Sequence, residues 1–404
     1  MSLNYKYGSF NKISVADFQS ITGVGFQPKA LIVFGNAKTS DGSAVNFQMS
    51  LGITDGTNNG SVSIRSEDGS ASTAYSGKNS SLFHALNSSG NIIRIGNISS
   101  LDSDGFTIEW LQSLGTEVIN YIALGGTDLS AYQGSFTVGN TAGTQSVSGV
   151  GFKPDMVLFI YNHCITSTRT DGTISIGCMN VEGEQCQSSA GMEGTSPGTH
   201  HDSWGFQSTN KMMNNFTPDG NDWGEYVSMD SDGFTIDWVF VENTTPRTCF
   251  YLALKGVVGK IGTFNSSTST GKVRTELGRA AEGLLLLSYN NSADGEPGKM
   301  TIGAGNSSTS RGTIWAGDTT DIIAAGATTS DQVLDRTKIL TFYTEGTPTK
   351  EGDADLSLID GAGFELDWID ADSTARPILY IAFCLRPTIK ILGKVKILGK
   401  VKVL

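Results

Sequence analysis

Hydrophobic positions along this chain fall into short runs of two kinds. Uninterrupted runs follow a glycine-containing turn in GVGFQPKALIVFG (Gly23 to Gly35), GVGFKPDMVLFIY (Gly149 to Tyr161) and the degenerate AAEGLLLLSY (Ala280 to Tyr289). Strand-length runs without alternation predict strands buried on both faces. Alternating runs occur in DSDGFTIEW (Asp102 to Trp110), DSDGFTIDW (Asp230 to Trp238) and DGAGFELDW (Asp360 to Trp368). There Phe106, Ile108 and Trp110 point one way, and Thr107 and Glu109 the other, which predicts a half-buried strand.

These runs recur in a fixed order. Each set opens with Gly8-Ser9-Phe10, Gly134-Ser135-Phe136 or Gly262-Thr263-Phe264, and each closes with VINYIALGG (Val118 to Gly126), TCFYLALKG (Thr248 to Gly256) or PILYIAFCL (Pro377 to Leu385). A repeat step of roughly 125–130 residues signals duplicated structural units. The fold expected is all-β: three tandem antiparallel β-sandwich modules of jelly-roll type over residues 1–130, 131–258 and 259–386, and a C-terminal extended β arm over 387–404. The middle module reads as carrying a long polar loop insertion, residues 177–226.

Composition agrees with many short strands and tight turns: glycine numbers 50 and charged residues are only 17 %. The formal charge is −12 even though five lysines crowd the last fifteen residues. The body should therefore repel nucleic acid and anionic membranes, and neither is expected as a partner. Met1 to Phe10 lacks the apolar core of a secretory signal, so the expected site of synthesis is the cytoplasm. Five cysteines without a CxxC pair predict free thiols.

The tail repeats KILGKV from Lys390 to Val395 and from Lys396 to Val401. A six-residue period preserves strand alternation, with Ile389, Ile391, Val395, Ile397 and Val401 on one side and Lys390, Lys394, Lys396, Lys400 and Lys402 on the other. Paired glycines and β-branched residues disfavour a helix. An unpaired strand invites a partner, which predicts an assembly arm; a disordered basic tail is the alternative.

Candidate chemistry is sparse. Asp102 and Asp104, with Asp230 and Asp232, offer clustered oxygens of the kind Ca²⁺ takes, but lack a downstream bidentate glutamate; Asp-Gly turn chemistry is the simpler reading. Cys178, Cys186, His200, His201 and Asp202 near His163-Cys164 are zinc ligand types at no standard spacing. Gly194-Thr195-Ser196-Pro197-Gly198 has the letters of a nucleophile elbow, but Pro197 lacks the N–H an oxyanion hole needs. Glu109 and Asp237 supply one acid per module where glycoside hydrolysis needs a facing pair. Trp204, Phe206, Phe216, Trp223 and Tyr226 make the insertion the candidate recognition surface, toward a glycan or a neighbouring subunit; capping of the module's own core is the other reading. No cofactor, metal ion or catalytic residue is expected.

The succession Gly25-Phe26-Gln27-Pro28, Asp104-Gly105-Phe106-Thr107 and Tyr121-Ile122-Ala123-Leu124, repeated at Gly151-Phe152-Lys153-Pro154, Asp232-Gly233-Phe234-Thr235 and Tyr251-Leu252-Ala253-Leu254, resembles repeat modules of tailed-bacteriophage virion proteins, of tail-fibre and virion-surface type. The third copy departs from it, lacking the Gly-Phe-x-Pro turn. The resemblance implies a non-enzymatic structural protein on the particle surface, as capsid decoration, spike or tail appendage, with other virion proteins of capsid or tail as partners and the virion as its location. It also implies a homo-oligomer, with a trimer as the expected count. The alternative is a host-glycan-binding adhesin that uses the insertion.

Overall fold

The computed structural model describes residues 2–68, 74–192, 202–215, 222–241, 245–291, 294–295, 297–318, 329–344, 346 and 348–385. Among these residues the chain is all-β, built of antiparallel strands with no helix. The C-terminal arm, including Ile389 to Lys402, lies outside the described residues.

The first unit contains β1 (Asn4–Asn11), β2 (Phe18–Thr22), β3 (Pro28–Gly35), β4 (Gly42–Val45), β5 (Phe47–Thr54), β6 (Asn59–Ser66), β7 (Tyr75–Asn79), β8 (Phe83–Leu86), β9 (Ile92–Asp102), β10 (Gly105–Ser113) and β11 (Val118–Gly125). The second contains β12 (Ser130–Val138), β13 (Gly143–Ser148), β14 (Met156–Tyr161), β15 (Thr168–Thr170), β16 (Gly172–Asn180), β17 (Gly183–Met192), β18 (Asp202–Ser208), β19 (Met213–Asn215), β20 (Asp222–Asp230), β21 (Gly233–Val241) and β22 (Arg247–Lys255). The third contains β23 (Val257–Asn265), β24 (Gly271–Glu276), β25 (Ala281–Ser288), β26 (Lys299–Ser307), β27 (Ser310–Asp318), β28 (Ser330–Asp335), β29 (Leu340–Tyr343), β30 (Lys350–Ile359), β31 (Gly363–Asp370) and β32 (Pro377–Leu385).

Each unit is a large sheet and a small one in the same strand order. The large sheets run β1-β11-β3-β5-β6-β7, β12-β22-β14-β16-β17-β18 and β23-β32-β25-β26-β27-β28. The small sheets run β2-β10-β9-β8, β13-β21-β20-β19 and β24-β31-β30-β29. Residues 177–226 are therefore not a loop insertion: they hold β17, β18, β19 and parts of β16 and β20, the counterparts of β5 to β9. The segment reads as loop because its strands bury polar side chains. Gln185, for example, is 2 % exposed and donates from Nε2 to the carbonyl of Tyr380 at 2.8 Å.

The repeated landmarks are halves of contacts. Gly8 pairs with Tyr121, Gly134 with Tyr251 and Gly262 with Tyr380 across the first and last strands of each unit. A Cβ on these glycines would lie 2.3–2.5 Å from the tyrosine hydroxyl oxygen, so the opening glycine makes room for the closing tyrosine.

The uninterrupted runs are buried on both faces, as predicted, and the two faces enter different cores. In β14, Met156, Leu158 and Ile160 belong to one cluster, while Val157, Phe159 and Tyr161 belong to the interior of the second sandwich. In β3, Ala30, Ile32 and Phe34 join the first of these clusters, and Leu31 and Val33 line the first sandwich. The cluster common to both also takes Leu285, Leu287, Leu379, Ile381 and Phe383 from the third unit. One central core thus ties all three large sheets together, and three private cores lie beneath the small sheets.

The arrangement closes on itself. The strand after β3 or β14 crosses to the far edge of the preceding large sheet: β15 pairs with β7, and β4 pairs with β28 of the third unit. At the remaining seam, Gly205 and Gly295 exchange backbone bonds of 2.8 and 3.0 Å. Three units, three seams and a shared centre form a ring with approximate threefold symmetry inside one chain.

Candidate functional site

The four repeat aspartates hold the turns together. Asp104 accepts from the backbone N–H groups of Gly23 (3.2 Å) and Gly25 (2.6 Å), and Asp232 accepts from Gly149 and Gly151 at the same two distances. Both glycines of each turn have positive φ, between 82° and 90°, which aims successive N–H groups at one point as an anion nest. The Gly-Val-Gly turn and the Asp-Gly-Phe turn are thus one contact. Asp102 accepts from the hydroxyls of Ser100 and Thr107, and Asp230 from those of Ser228 and Thr235. Hydrogen-bond donors occupy the oxygens a cation would need, which favours the turn-chemistry reading. In the third unit Ala362 replaces the nest acid, and its carbonyl accepts from Leu277 and Gly278 instead.

The aromatic residues of 177–226 do not converge. Trp204 and Phe206 lie half-buried on β18, the edge strand at the seam with the third unit. Trp223 stacks on Phe240 with ring centroids 4.5 Å apart, and the Lys211 ammonium sits 5.5 Å from the Trp223 ring while pairing with Glu225. Tyr226 packs against the core of its own sandwich, and its backbone N–H donates to Glu184. Phe216 lies outside the described residues, as do His200, His201 and the segment Gly194 to Gly198. Burial pushes the Glu184 carboxyl up to about 7, against the lowering effect of the Tyr226 N–H; Glu225 nearby adds to the rise.

Each outer sheet was expected to offer a single acid at the repeat tryptophan. Strand register adds a second: Glu225 lies opposite Asp237, and Asp355 opposite Asp367, whereas Glu109 faces Asn97. Pairing across strands depends on register, which spacing along the chain does not encode. Lys211 offsets the charge of Glu225, and Arg311 with Lys338 that of Asp355.

A serine–histidine contact is also present. His84 sits between Ser61 Oγ (2.7 Å from Nδ1) and Ser63 Oγ (2.8 Å from Nε2). All three residues are 0 % exposed, and desolvation pushes the imidazole down to about 3. No substrate reaches this pair, so its role is to satisfy polar groups between β6 and β8. All five cysteines are free and buried, and desolvation raises the pKa of each thiol. Among the described residues no three His, Cys, Asp or Glu side chains form a metal-binding group.

The accessible hollows lie at the seams, which sequence reasoning missed. Between the second and third units a hollow of about 610 Å³ is lined by Gln207, Thr263, Phe264, Asn265, Tyr289 and Asp294, among others. Between the first and second units, hollows of about 490 and 450 Å³ adjoin, sharing Ser80, Ser135 and Phe250. Across the seam between the third and first units, Arg336 pairs with Asp41 at 2.9 Å. Each hollow joins residues from distant stretches of chain, so no local motif could announce it. No family model matches this chain, and no curated protein matches it.

Proposed function

We propose that this protein is a non-enzymatic structural component of a bacteriophage particle surface, as capsid decoration, spike or tail appendage, attached through its C-terminal arm. The observation that carries this reading is the closed ring. The far edge strands β7 and β28 pair with a strand from the neighbouring unit, and β18 with a backbone bridge. Covered edges suppress sheet-to-sheet aggregation, which suits a body displayed in many copies at high local density. The threefold is completed within the chain, so the proposed trimer is one of whole bodies joined by their arms. The motif resemblance supplies the phage assignment. A host-glycan-binding adhesin is the second reading, favoured by the polar seam hollows rather than by the aromatic residues of 177–226.

Light scattering on the intact chain and on a version truncated after Pro387, with binding of each to purified heads and tails of the phage that encodes it, tests the first reading. Truncation is expected to abolish both self-association and particle binding. Equal behaviour of the two proteins would overturn the anchoring role of the arm.

A further inference from the structure

The seam between the first and second units carries a feature that particle attachment does not use. Its two adjoining hollows form one continuous groove across the faces of β7 and β12. One end presents Lys78, Asn79, Ser167 and Thr248, and the other Asn58, Asn59, Tyr132 and Gln133. Phe250, only 5 % exposed, forms the floor between them.

Lys78 is the unusual member. Its ammonium donates to Thr248 Oγ1 at 3.1 Å, and no carboxylate pairs with it among the described residues. Burial lowers the Lys78 pKa first of all; the Cys164 thiol opposes that shift, and the Arg247 guanidinium adds to it. An unpaired, partly desolvated cation is costly in any protein and conspicuous in one with formal charge −12. Asn59 adds an unsatisfied acceptor: its buried Oδ1 has no hydrogen-bond partner.

We propose that this groove binds an acidic saccharide, with Lys78 receiving the sugar carboxylate. Amide and hydroxyl side chains match ring hydroxyls as donors and acceptors, and the half-buried Tyr132 ring offers an apolar face to a pyranose. A lone ammonium suits one carboxylate; a phosphate, with more charge and more acceptors, is better matched where a guanidinium fork or a nest of backbone N–H groups joins the ammonium, and neither lines the groove. The other seams discriminate. At the equivalent place between the second and third units the hollow presents Asp294 instead of a cation, and between the third and first units Arg336 is already paired with Asp41. The inference stands apart from the arm, and the chain truncated after Pro387 is expected to keep the groove's affinity.

The test is calorimetric titration of the full chain with tetragalacturonate, its methyl ester and inorganic phosphate, and with oligosialate and oligoglucuronate as further acidic probes. At least one acidic oligosaccharide is expected to bind with one site per chain, and its neutral ester about tenfold more weakly or worse. Lys78→Gln should lower acid affinity to the level of the ester, and Lys78→Arg should keep most of it. Ser135→Trp, at an exposed position in the groove, should block acid and ester alike without touching a core. Four results would each overturn the proposal: no acidic probe binds, Lys78→Gln leaves affinity unchanged, Ser135→Trp leaves it unchanged, or phosphate displaces the sugar at equal concentration. If Lys78→Gln fails to fold, Lys78→Arg and Ser135→Trp still decide.

Discussion

The first two units and the third reach the same fold through different contacts. In the first two, an exposed turn aspartate fills a nest of glycine N–H groups, and the repeat tryptophan donates to a glutamine, Trp110 to Gln19 at 3.0 Å and Trp238 to Gln145 at 2.7 Å. In the third, alanine stands at the nest position and Val273 lies where the glutamine would be. Strand order is nevertheless identical. The motifs visible in the sequence therefore mark individual turn contacts, whereas the sheets are held by the apolar runs shared by all three units.

A buried charge sharpens the comparison further. Arg247 and Asp222 form an ion pair at 2.9 Å with both side chains nearly inaccessible. The equivalent positions in the first unit hold the same pair reversed, Glu117 with Arg94 at 3.4 Å, and desolvation raises the Glu117 pKa. In the third unit Arg376 pairs with Glu351 at 3.0 Å. Removing Arg247 leaves the buried Asp222 carboxylate without its counter-charge, so Arg247→Met is expected to cost about 3–5 kcal/mol in denaturant unfolding. The double change Arg247→Glu with Asp222→Arg imports the arrangement of the first unit and should recover much of that loss. Failure to recover would mean that the surroundings of the pair, not its polarity, differ between units.

If the centre ties the units together, truncation there must be felt everywhere. Leu285→Ala in the third unit is expected to cost about 2–5 kcal/mol and to lower a single melting transition common to all tryptophans. Separate transitions for the units would break the picture of one shared core.

The first unit alone carries His84. Its folded pKa lies below the ordinary histidine value, so the unfolded chain binds the proton first as pH falls. Stability should therefore decline between about pH 6.5 and 3, by about 3 kcal/mol at pH 4 relative to pH 7. His84→Gln should flatten this part of the pH profile, measured by chemical denaturation. An unchanged profile would place the acid sensitivity in other groups.

The smallest effect tests the nest. Asp232→Ala is expected to cost about 1 kcal/mol, since water replaces part of what the carboxylate gives these exposed N–H groups. Ala362→Asp in the third unit should gain nothing, because Leu277 and Gly278 already donate to a backbone carbonyl there. Equal effects at the two positions would show that the third turn retains a latent nest.

Much of the local structure was legible. GVGFKPDMVLFIY announced a turn and a doubly buried strand, and DSDGFTIDW an alternating one, because strand periodicity is written directly in side-chain polarity. Residues 177–226 were misread as loop, since β16 and β17 bury Gly177, Asn180 and Gln185 there, residues that carry no hydrophobic signal. The candidate aromatic surface dissolved for a related reason: residues near one another in sequence stand on different strands, and Trp204 and Trp223 belong to different sheets.

By itself, the sequence determined the strands, the turns and the threefold repetition, all of which depend on neighbours a few residues apart or on copies of one pattern. It also held an unrecognised clue, because a two-layer sandwich covers only one face of each sheet and leaves the other face of ALIVF or MVLFI without a partner. Only the tertiary structure decided what covers that face, namely the other two units. It alone decided the seams as well, and with them the groove at Lys78, because the strand pairings there join residues about ninety to about three hundred positions apart, set by register and closure rather than by local preference.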